Sequence, residues 1–360
     1  VLTGLVLAWA IGIHNYHQVL ALGVILGVAG ASFAVALPLA SRWYPQEHQG
    51  LALGIAGAGN SGTALAALFA PALAKAFGWQ AVIGLAAIPL AAILWNFGTW
   101  YVGLPASSSH TLIGSILGVG LMHSAMQGQI GAGINWGKAG EVGLSLLISP
   151  AAGFIAAALL LKVARLFLKR SALYREADPT RVPPLWIRCL LIFTCTSVSF
   201  AHGANDGQKG IGLLMFVLIV LLPQEYAFGP DATLIIPTWV KLLVAVTLGC
   251  GTMIGWKRIV VTIGEKIGKA HMNYAQGAAA ELVAMTAIQT ASTLGMPVST
   301  THVLSSGIAG AMFAQGSGVQ MGTVTKILAA WILTLPVTIF LASAAFGAGA
   351  FILFRGLGIQ

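Results

Sequence analysis

Long apolar runs with almost no charge are the feature that most limits how this chain can fold. Only 8% of its 360 residues are charged, whereas a soluble domain carries about 25%. Many of the runs reach the roughly 20 residues that cross a bilayer as a helix. Runs such as residues 146–161 lack the alternation of apolar and polar residues that barrel strands need. The sequence therefore predicts an all-α polytopic membrane protein with about nine to eleven membrane segments.

The placement of basic residues predicts how the chain is oriented in the membrane. Many of the basic residues behind the formal net charge of +9 lie in two polar stretches, 162–188 and 257–269. The stretch 222–239 between them contains Glu225 and Asp231 but no Lys or Arg. Short basic loops stay on the cytoplasmic side of a membrane. We therefore predict that the linker 163–188 and the loop 257–274 are cytoplasmic, and that the charge reflects topology rather than nucleic-acid binding.

An internal repeat marks the first candidate site. Residues 103–118 align with residues 295–310 without a gap, and both copies contain Gly-x-Pro-x-Ser-x-x-His. The proline interrupts a helix, and a helix that restarts after it presents free N–H groups and a positive dipole end to an anion. This pattern predicts a two-fold transporter fold with discontinuous or re-entrant helices at the two Pro-x-Ser-x-x-His loops. The alternative is that the hydroxyls only cap helices, but the duplication favours a binding role. The candidate residues are Ser107, Ser108, Ser109, His110, Ser299, Thr300, Thr301 and His302.

A polar stretch between two apolar flanks, residues 201–210, forms the second candidate site. An Asp at membrane depth is expensive and indicates function. Asn205, Asp206 and Gln208 supply oxygens for a cation, and Lys209 supplies positive charge for an anion. Three glycines in this stretch permit an unwound segment. The alternative is a polar loop that joins two short helices and holds a solvated Asp206–Lys209 pair.

A further carboxylate, Glu281, also lies in an apolar run. It is a candidate ligand for a proton or another coupling cation. The alternative is a glutamate at a helix end near the membrane interface.

Residues 93–360 resemble the PiT family of inorganic phosphate transporters in its proteobacterial low-affinity form. The resemblance rests on four segments, 95–110, 199–209, 249–258 and 295–304. It implies secondary active uptake of phosphate, or of a neutral complex of phosphate with a divalent metal, across a bacterial inner membrane. The coupling cation implied is H⁺, with Na⁺ as the alternative. No cofactor, dedicated metal site or enzymatic activity is expected, and a homodimer is a candidate assembly.

The resemblance also implies a substrate site between the two repeats, and the first half of this chain departs from the family pattern. Asn205, Asp206 and residues 299–301 would face Ser107, Ser108 and Ser109 of the other repeat. In members of this family, each half of the chain begins with its own Gly-Ala-Asn-Asp stretch. In this chain the corresponding place in the first half lies near residues 14–17, which do not carry that motif, and no acidic residue precedes Glu47.

The first ninety residues resemble a different family. Segments 41–62 and 77–89 are similar to nitrate/nitrite porters of the major facilitator superfamily. The chain is therefore divided into a major-facilitator-like fragment (1–92), a partial first repeat (93–162), the basic linker (163–188) and a second repeat (189–360). A nitrate/nitrite carrier and an inactive, truncated membrane fragment are the alternatives to phosphate transport.

Overall fold

The computed structural model describes residues 75, 78–169, 172–175, 182–221, 226, 235–296 and 298–356. The regular elements of these residues are helices, which confirms the predicted all-α class. The expectations for residues 1–74, including the glycine-rich segment 41–62 and the surroundings of residues 14–17, lie outside the described residues. The helices of eight residues or more are α1 (Trp79–Tyr101), α2 (Ser108–Met126), α3 (Trp136–Phe167), α4 (Leu185–Leu221), α5 (Thr238–Glu265), α6 (Tyr274–Thr293), α7 (Thr300–Gln315) and α8 (Met321–Ala350).

Several helices are long and apolar enough to cross a membrane. Within the described residues there are four such spans: Gln80–Tyr101, Trp136–Phe167, Leu185–Ile219 and Met321–Arg355. A fifth is added if Thr238–Met253 and Arg258–Glu265, which meet at a bend of 67°, form one span. The chain is therefore a multi-pass membrane protein. The expected nine to eleven segments refer to the whole sequence, and that number stays a prediction.

All candidate site residues belong to one compact unit, Ile88–Ala342. A second unit contains the described residues up to Ala87 and those from Ser343 onward. The two Pro-x-Ser-x-x-His loops interrupt helices as predicted, because α1 ends at Tyr101 before α2 begins at Ser108, and α6 ends at Thr293 before α7 begins at Thr300.

Each helix that follows a loop packs on a long helix of the opposite repeat. α7 lies against α3 so closely that a Cβ on Gly310 would collide with the carbonyl oxygen of Phe154. α2 lies against α8 in the same manner, because a Cβ on Gly118 would collide with the carbonyl oxygen of Ile339. Small residues allow helix backbones to approach closely in lipid. The two repeats are therefore interleaved around the loops.

Helix α4 corrects one expectation. The predicted unwound segment at 201–210 is wrong, and so is the alternative polar loop, because α4 is one helix of 37 residues that runs through Gly203, Gly207 and Gly210. A glycine in a helix costs about 1 kcal/mol relative to alanine. At membrane depth, broken backbone hydrogen bonds cost more than that. The helical conformation therefore prevails.

The two polar stretches are shorter than expected because the neighbouring helices extend into them. α3 continues past residue 163 to Phe167, and α4 begins at Leu185, before residue 189. α5 likewise continues to Glu265, so the stretch between α5 and α6 comprises residues 266–273.

Candidate functional site

The two loops begin their helices with the same cap. The Ser107 hydroxyl accepts a hydrogen bond from the backbone N–H of His110 at 3.3 Å, and the Ser299 hydroxyl accepts one from His302 at 3.2 Å. Both serines are almost fully buried. Their hydroxyls are thus occupied by helix capping. At the first hydroxyl of each loop, this agrees with the alternative interpretation that the hydroxyls only cap helices. The second and third hydroxyls of each loop stay available for other partners.

The approach to each loop is also repeated. Gly103 and Gly295 lie two residues before the loop prolines and adopt φ values of +73° and +65°. These values are in the left-handed region, which glycine adopts without a steric penalty. The glycine turns the chain in both loops, and in the first loop Pro105 then prevents the chain from continuing as a helix.

The polar face of α4 meets the first loop at three residues. Lys209 Nζ donates a hydrogen bond of 2.5 Å to Asp206 Oδ1. Ser108 Oγ donates to Asp206 Oδ2 at 3.1 Å, and Lys209 Nζ lies 3.4 Å from Ser108 Oγ. The Asp206 side chain is only 13% exposed and the Lys209 side chain 23%. The Asp206–Lys209 pair of the alternative interpretation is present, but it is partly buried and joined to the loop rather than solvated.

The same helix meets the second loop through His202. Its Nδ1 lies 3.0 Å from Thr300 Oγ1 and 4.0 Å from Asp206 Oδ2. The two loops also touch each other, because Ser109 Oγ donates to the Val298 carbonyl at 3.3 Å. Asp206 and the two loops therefore form one continuous polar cluster.

Asn205 lies beside this cluster with an unused acceptor. Its Nδ2 donates to Ser292 Oγ at 3.2 Å. Its Oδ1 is buried and has no hydrogen-bond partner. A buried acceptor without a donor is costly, and a ligand that donates a hydrogen bond, or a cation, would remove that cost.

Helix α4 separates two cavities of different chemistry. The first, which we call the Lys209 cavity, has a volume of about 370 Å³ and polar walls of Ser109, Lys138, Asn205, Gln208, Lys209 and Ser292. The second, the Asp206 cavity, has a volume of about 790 Å³ and polar walls of Asn96, Asp206, Thr247 and Thr252. The first is lined by two cationic side chains and the second by a carboxylate. They suit an anion and a cation respectively.

The histidines of the two loops meet behind the cluster. His110 and His302 are 1% and 2% exposed, and their ring centroids lie 4.6 Å apart. No hydrogen-bond partner is present for either ring nitrogen of either side chain. His302 also stacks on Trp331 of α8 at 3.9 Å.

Two predicted residues lie apart from the cluster. Glu281 Oε2, on α6, accepts a hydrogen bond of 2.5 Å from Thr194 Oγ1 on α4. Thr301 is partly buried in the first turn of α7. The structure thus brings together Ser108, Ser109, Thr300 and the α4 residues 205, 206, 208 and 209, whereas Glu281 forms a separate polar contact.

Sequence reasoning missed three residues that the structure brings to these positions. Lys138 is near the start of α3 and looks like an interfacial residue in the sequence, but it lines the Lys209 cavity. Thr194 and Trp331 occur in apolar helices without any local motif. The one sequence signal for these two residues is a hydroxyl or an indole N–H within an apolar run, because such a group needs a hydrogen-bond partner when it is buried. Within the described residues, no cluster of three or more His, Cys, Asp or Glu side chains could hold a metal ion.

Comparisons with known proteins identify relatives of this arrangement. Residues 9–342 match the family described as the phosphate transporter family. That match includes most of segment 1–92, which resembles nitrate/nitrite porters over residues 41–62 and 77–89. The division of the chain near residue 92 stays a prediction.

Curated relatives align with most of the chain. The low-affinity inorganic phosphate transporter PitB of Escherichia coli is 33% identical over 391 residues, which covers 71% of this chain and 78% of the relative. The low-affinity inorganic phosphate transporter of Buchnera aphidicola subsp. Schizaphis graminum is 36% identical, covering 70% and 77%. The probable low-affinity inorganic phosphate transporter of Bacillus subtilis is 35% identical, covering 74% of each chain.

One solved structure has a similar fold. It is described as "the sodium-dependent phosphate transporter", and it aligns with a TM-score of 0.60 at 21% identity. The alignment covers 74% of this chain and 79% of that one. At this identity the likeness concerns the fold.

Proposed function

This chain belongs to the phosphate transporter family, and we propose that it carries inorganic phosphate across a bacterial inner membrane as a secondary transporter. The observation that carries this proposal is the Ser108–Asp206–Lys209 cluster, in which a carboxylate and an ammonium lie at the beginning of α2. The curated relatives are named as transporters, so the chain acts on phosphate by moving it rather than by converting it.

The Lys209 cavity supplies the chemistry that an oxyanion needs. Lys209 offers positive charge, Ser109 offers a hydroxyl, and Gln208 offers an amide N–H. The N-terminal end of α2 adds a positive dipole. A hydrogen-phosphate ion also carries a hydroxyl of its own, which could donate to the unpaired Oδ1 of Asn205.

The Asp206–Lys209 pair offers a physical basis for coupling. In the absence of substrate the two side chains neutralise each other at 2.5 Å. Phosphate bound to Lys209 competes with Asp206 for the ammonium. The carboxylate then loses its partner in a site of low dielectric, which is unfavourable unless a cation binds to it. Binding of phosphate in one cavity and of H⁺ or Na⁺ at Asp206 would therefore favour each other.

Alternating access completes the proposed cycle. In transporters built from repeats, one repeat rocks against the other around a site near the membrane midplane. Here the two loops come from opposite repeats, so such a motion would open the cluster first to one side and then to the other. We further propose that phosphate crosses as a neutral complex with a divalent metal. We also propose that the protein assembles as a homodimer.

Uptake by proteoliposomes tests the proposal. The wild-type protein is expected to accumulate labelled phosphate and not nitrate, and Asp206→Asn is expected to abolish that uptake, because the amide cannot neutralise Lys209 or bind the coupling cation. Glu265→Gln is the control: Glu265 is an exposed carboxylate at the end of α5 and lines neither the Lys209 cavity nor the Asp206 cavity. The control should retain wild-type uptake.

Other results would point to the alternatives. Nitrate uptake that is unchanged in Asp206→Asn would contradict the proposal and favour a nitrate/nitrite carrier. Folded, reconstituted wild-type protein that carries neither anion would favour an inactive fragment. Imposed H⁺ and Na⁺ gradients, each with and without Mg²⁺, would identify the coupling ion and show whether the metal accompanies phosphate.

A further inference from the structure

Trp331 contacts both Pro-x-Ser-x-x-His loops at once. It lies in the middle of the apolar helix α8. Its indole N–H donates a hydrogen bond of 2.9 Å to the carbonyl oxygen of Pro105, which belongs to the first loop. Its ring stacks on His302, which belongs to the first turn after the second loop, with centroids 3.9 Å apart and an interplanar angle of 28°.

The contact continues from one repeat to the other through the buried histidines. His302 packs against His110 at a centroid distance of 4.6 Å. Trp331, His302 and His110 thus form a row of three rings that begins on α8 and ends on α2. Rings have few rotatable bonds, and a row of packed rings transmits position more rigidly than flexible side chains would.

Both contacts lie close to the groups that face the substrate. The Pro105 carbonyl lies two residues before Ser107, which caps the helix that presents Ser108 and Ser109. His302 lies two residues after Thr300, which contacts His202. A shift of either backbone segment would therefore move the hydroxyls that line the cluster. Binding groups must be held to within about 0.5 Å to function well.

We propose that Trp331 is a positioning residue that fixes the separation of the two loops and thereby sets the affinity for phosphate. This inference rests on the proposed function, since it names a determinant of affinity for that same site. Trp331 does not act on phosphate itself; it acts through Pro105 and His302.

Substitution of Trp331 separates its two contacts. Trp331→Phe keeps an aromatic ring against His302 but removes the donor to Pro105, whereas Trp331→Leu removes both. Because one hydrogen bond contributes about 0.5–1.5 kcal/mol, Trp331→Phe is expected to raise the KM for phosphate about 2- to 10-fold at nearly unchanged maximal rate. Trp331→Leu is expected to raise KM further.

Trp95→Phe is the matched control. The Trp95 indole also donates to α8, at 3.0 Å to the Thr334 hydroxyl rather than to a loop carbonyl. Its KM should stay within twofold of the wild type. Equal KM values for Trp331→Phe, Trp95→Phe and the wild type would overturn the proposal, as would a loss of folded protein in Trp331→Phe without a change in KM.

Amide hydrogen exchange in detergent, without phosphate, gives a readout independent of transport. Trp331→Phe is expected to speed exchange in peptides that cover residues 103–112, and Trp331→Leu also in those that cover residues 298–306. Trp95→Phe should leave both regions unchanged. If the wild type does not carry phosphate, the proposed function fails, but exchange still decides whether Trp331 holds the loops. Unaltered exchange in both Trp331 variants would refute that role.

Discussion

Glu281 and Asp206 are both carboxylates in largely apolar helices, but their partners differ. Asp206 is neutralised by Lys209. Glu281 is partly buried and has a hydroxyl partner, Thr194, at 2.5 Å. A single neutral hydrogen bond does not balance a negative charge that is partly withdrawn from water. Glu281 is therefore suited to hold a proton or to bind a cation that moves with the substrate.

We expect Glu281→Gln to uncouple transport from its driving ion. The amide can still accept the hydrogen bond from Thr194, so the fold should be retained, but it cannot gain or release a proton or bind a cation strongly. Exchange of internal for external phosphate should persist, while accumulation driven by an ion gradient should fall at least tenfold. Both are measured in the same proteoliposomes.

Asp206→Asn provides the contrast for this experiment, because it should abolish exchange as well as driven uptake. If Glu281→Gln accumulates phosphate at the wild-type rate under the same gradient, Glu281 has no part in coupling and serves only to join α4 and α6.

Single residues also show how far sequence reasoning reaches. The Asp206–Lys209 pair follows from the sequence as one of two interpretations, because two opposite charges three residues apart in apolar surroundings favour a pair. The continuous helix that carries both residues was not predicted. Trp331 could not be predicted, because the carbonyl that it contacts belongs to a residue 226 positions away. Nothing in the local pattern distinguishes it from a tryptophan that faces lipid.

At the scale of elements, the packing of α7 on α3 depends on Gly310. A Cβ at this position would meet backbone atoms of Phe154, which cannot move aside as a flexible side chain could. Gly307 is on the same helix, but a Cβ there would make ordinary contacts of 3.7 Å with Ala157 and Ala280. The two glycines thus form a matched pair.

We expect Gly310→Ala to destabilise the protein by about 1–3 kcal/mol, because overpacking forces the two helices apart. Gly307→Ala should have wild-type stability or slightly more, since alanine favours the helix. Thermal unfolding in detergent measures both. Equal melting temperatures for Gly310→Ala and Gly307→Ala would show that α7 and α3 are not in close contact.

The elements also show why a repeat is easier to predict than a helix break. The repeat was visible because Gly103, Pro105, Ser107 and His110 recur in the second copy, and the caps and the positive φ values recur with them. The glycines of α4 suggested a break that is not present. Glycine permits an unwound backbone but does not require one, and the surrounding helix supplies hydrogen bonds that a break would lose.

For the whole molecule, the distribution of basic residues predicts the orientation in the membrane. Val182 is exposed in the linker 163–188 and Ala270 in the loop 257–274, whereas Ile235 is exposed in the stretch that carries no Lys or Arg. The positive-inside rule places the first two in the cytoplasm and the third outside.

Cysteine labelling tests this orientation. The three native cysteines, Cys189, Cys195 and Cys250, are free and exposed, so they are first replaced by serine. A membrane-impermeant maleimide added to intact cells should label Ile235→Cys and leave Val182→Cys and Ala270→Cys unlabelled. Opened cells should label all three. Labelling of Val182→Cys and Ala270→Cys from opposite sides would contradict the predicted topology.

The interleaving of the repeats has a consequence for how such a chain can be divided. The loop helix of each repeat lies in a groove of the other, α7 on α3 and α2 on α8. A gene encoding one repeat would therefore produce a polypeptide whose anion-facing helix lacks the long helix on which it packs. Two copies of that polypeptide could form the site only if each packed its loop helix on the other copy. A cut between α3 and α4 would instead leave both halves present as separate fragments. Because each of these contacts joins one half to the other, the two fragments could reassemble the site by re-forming them.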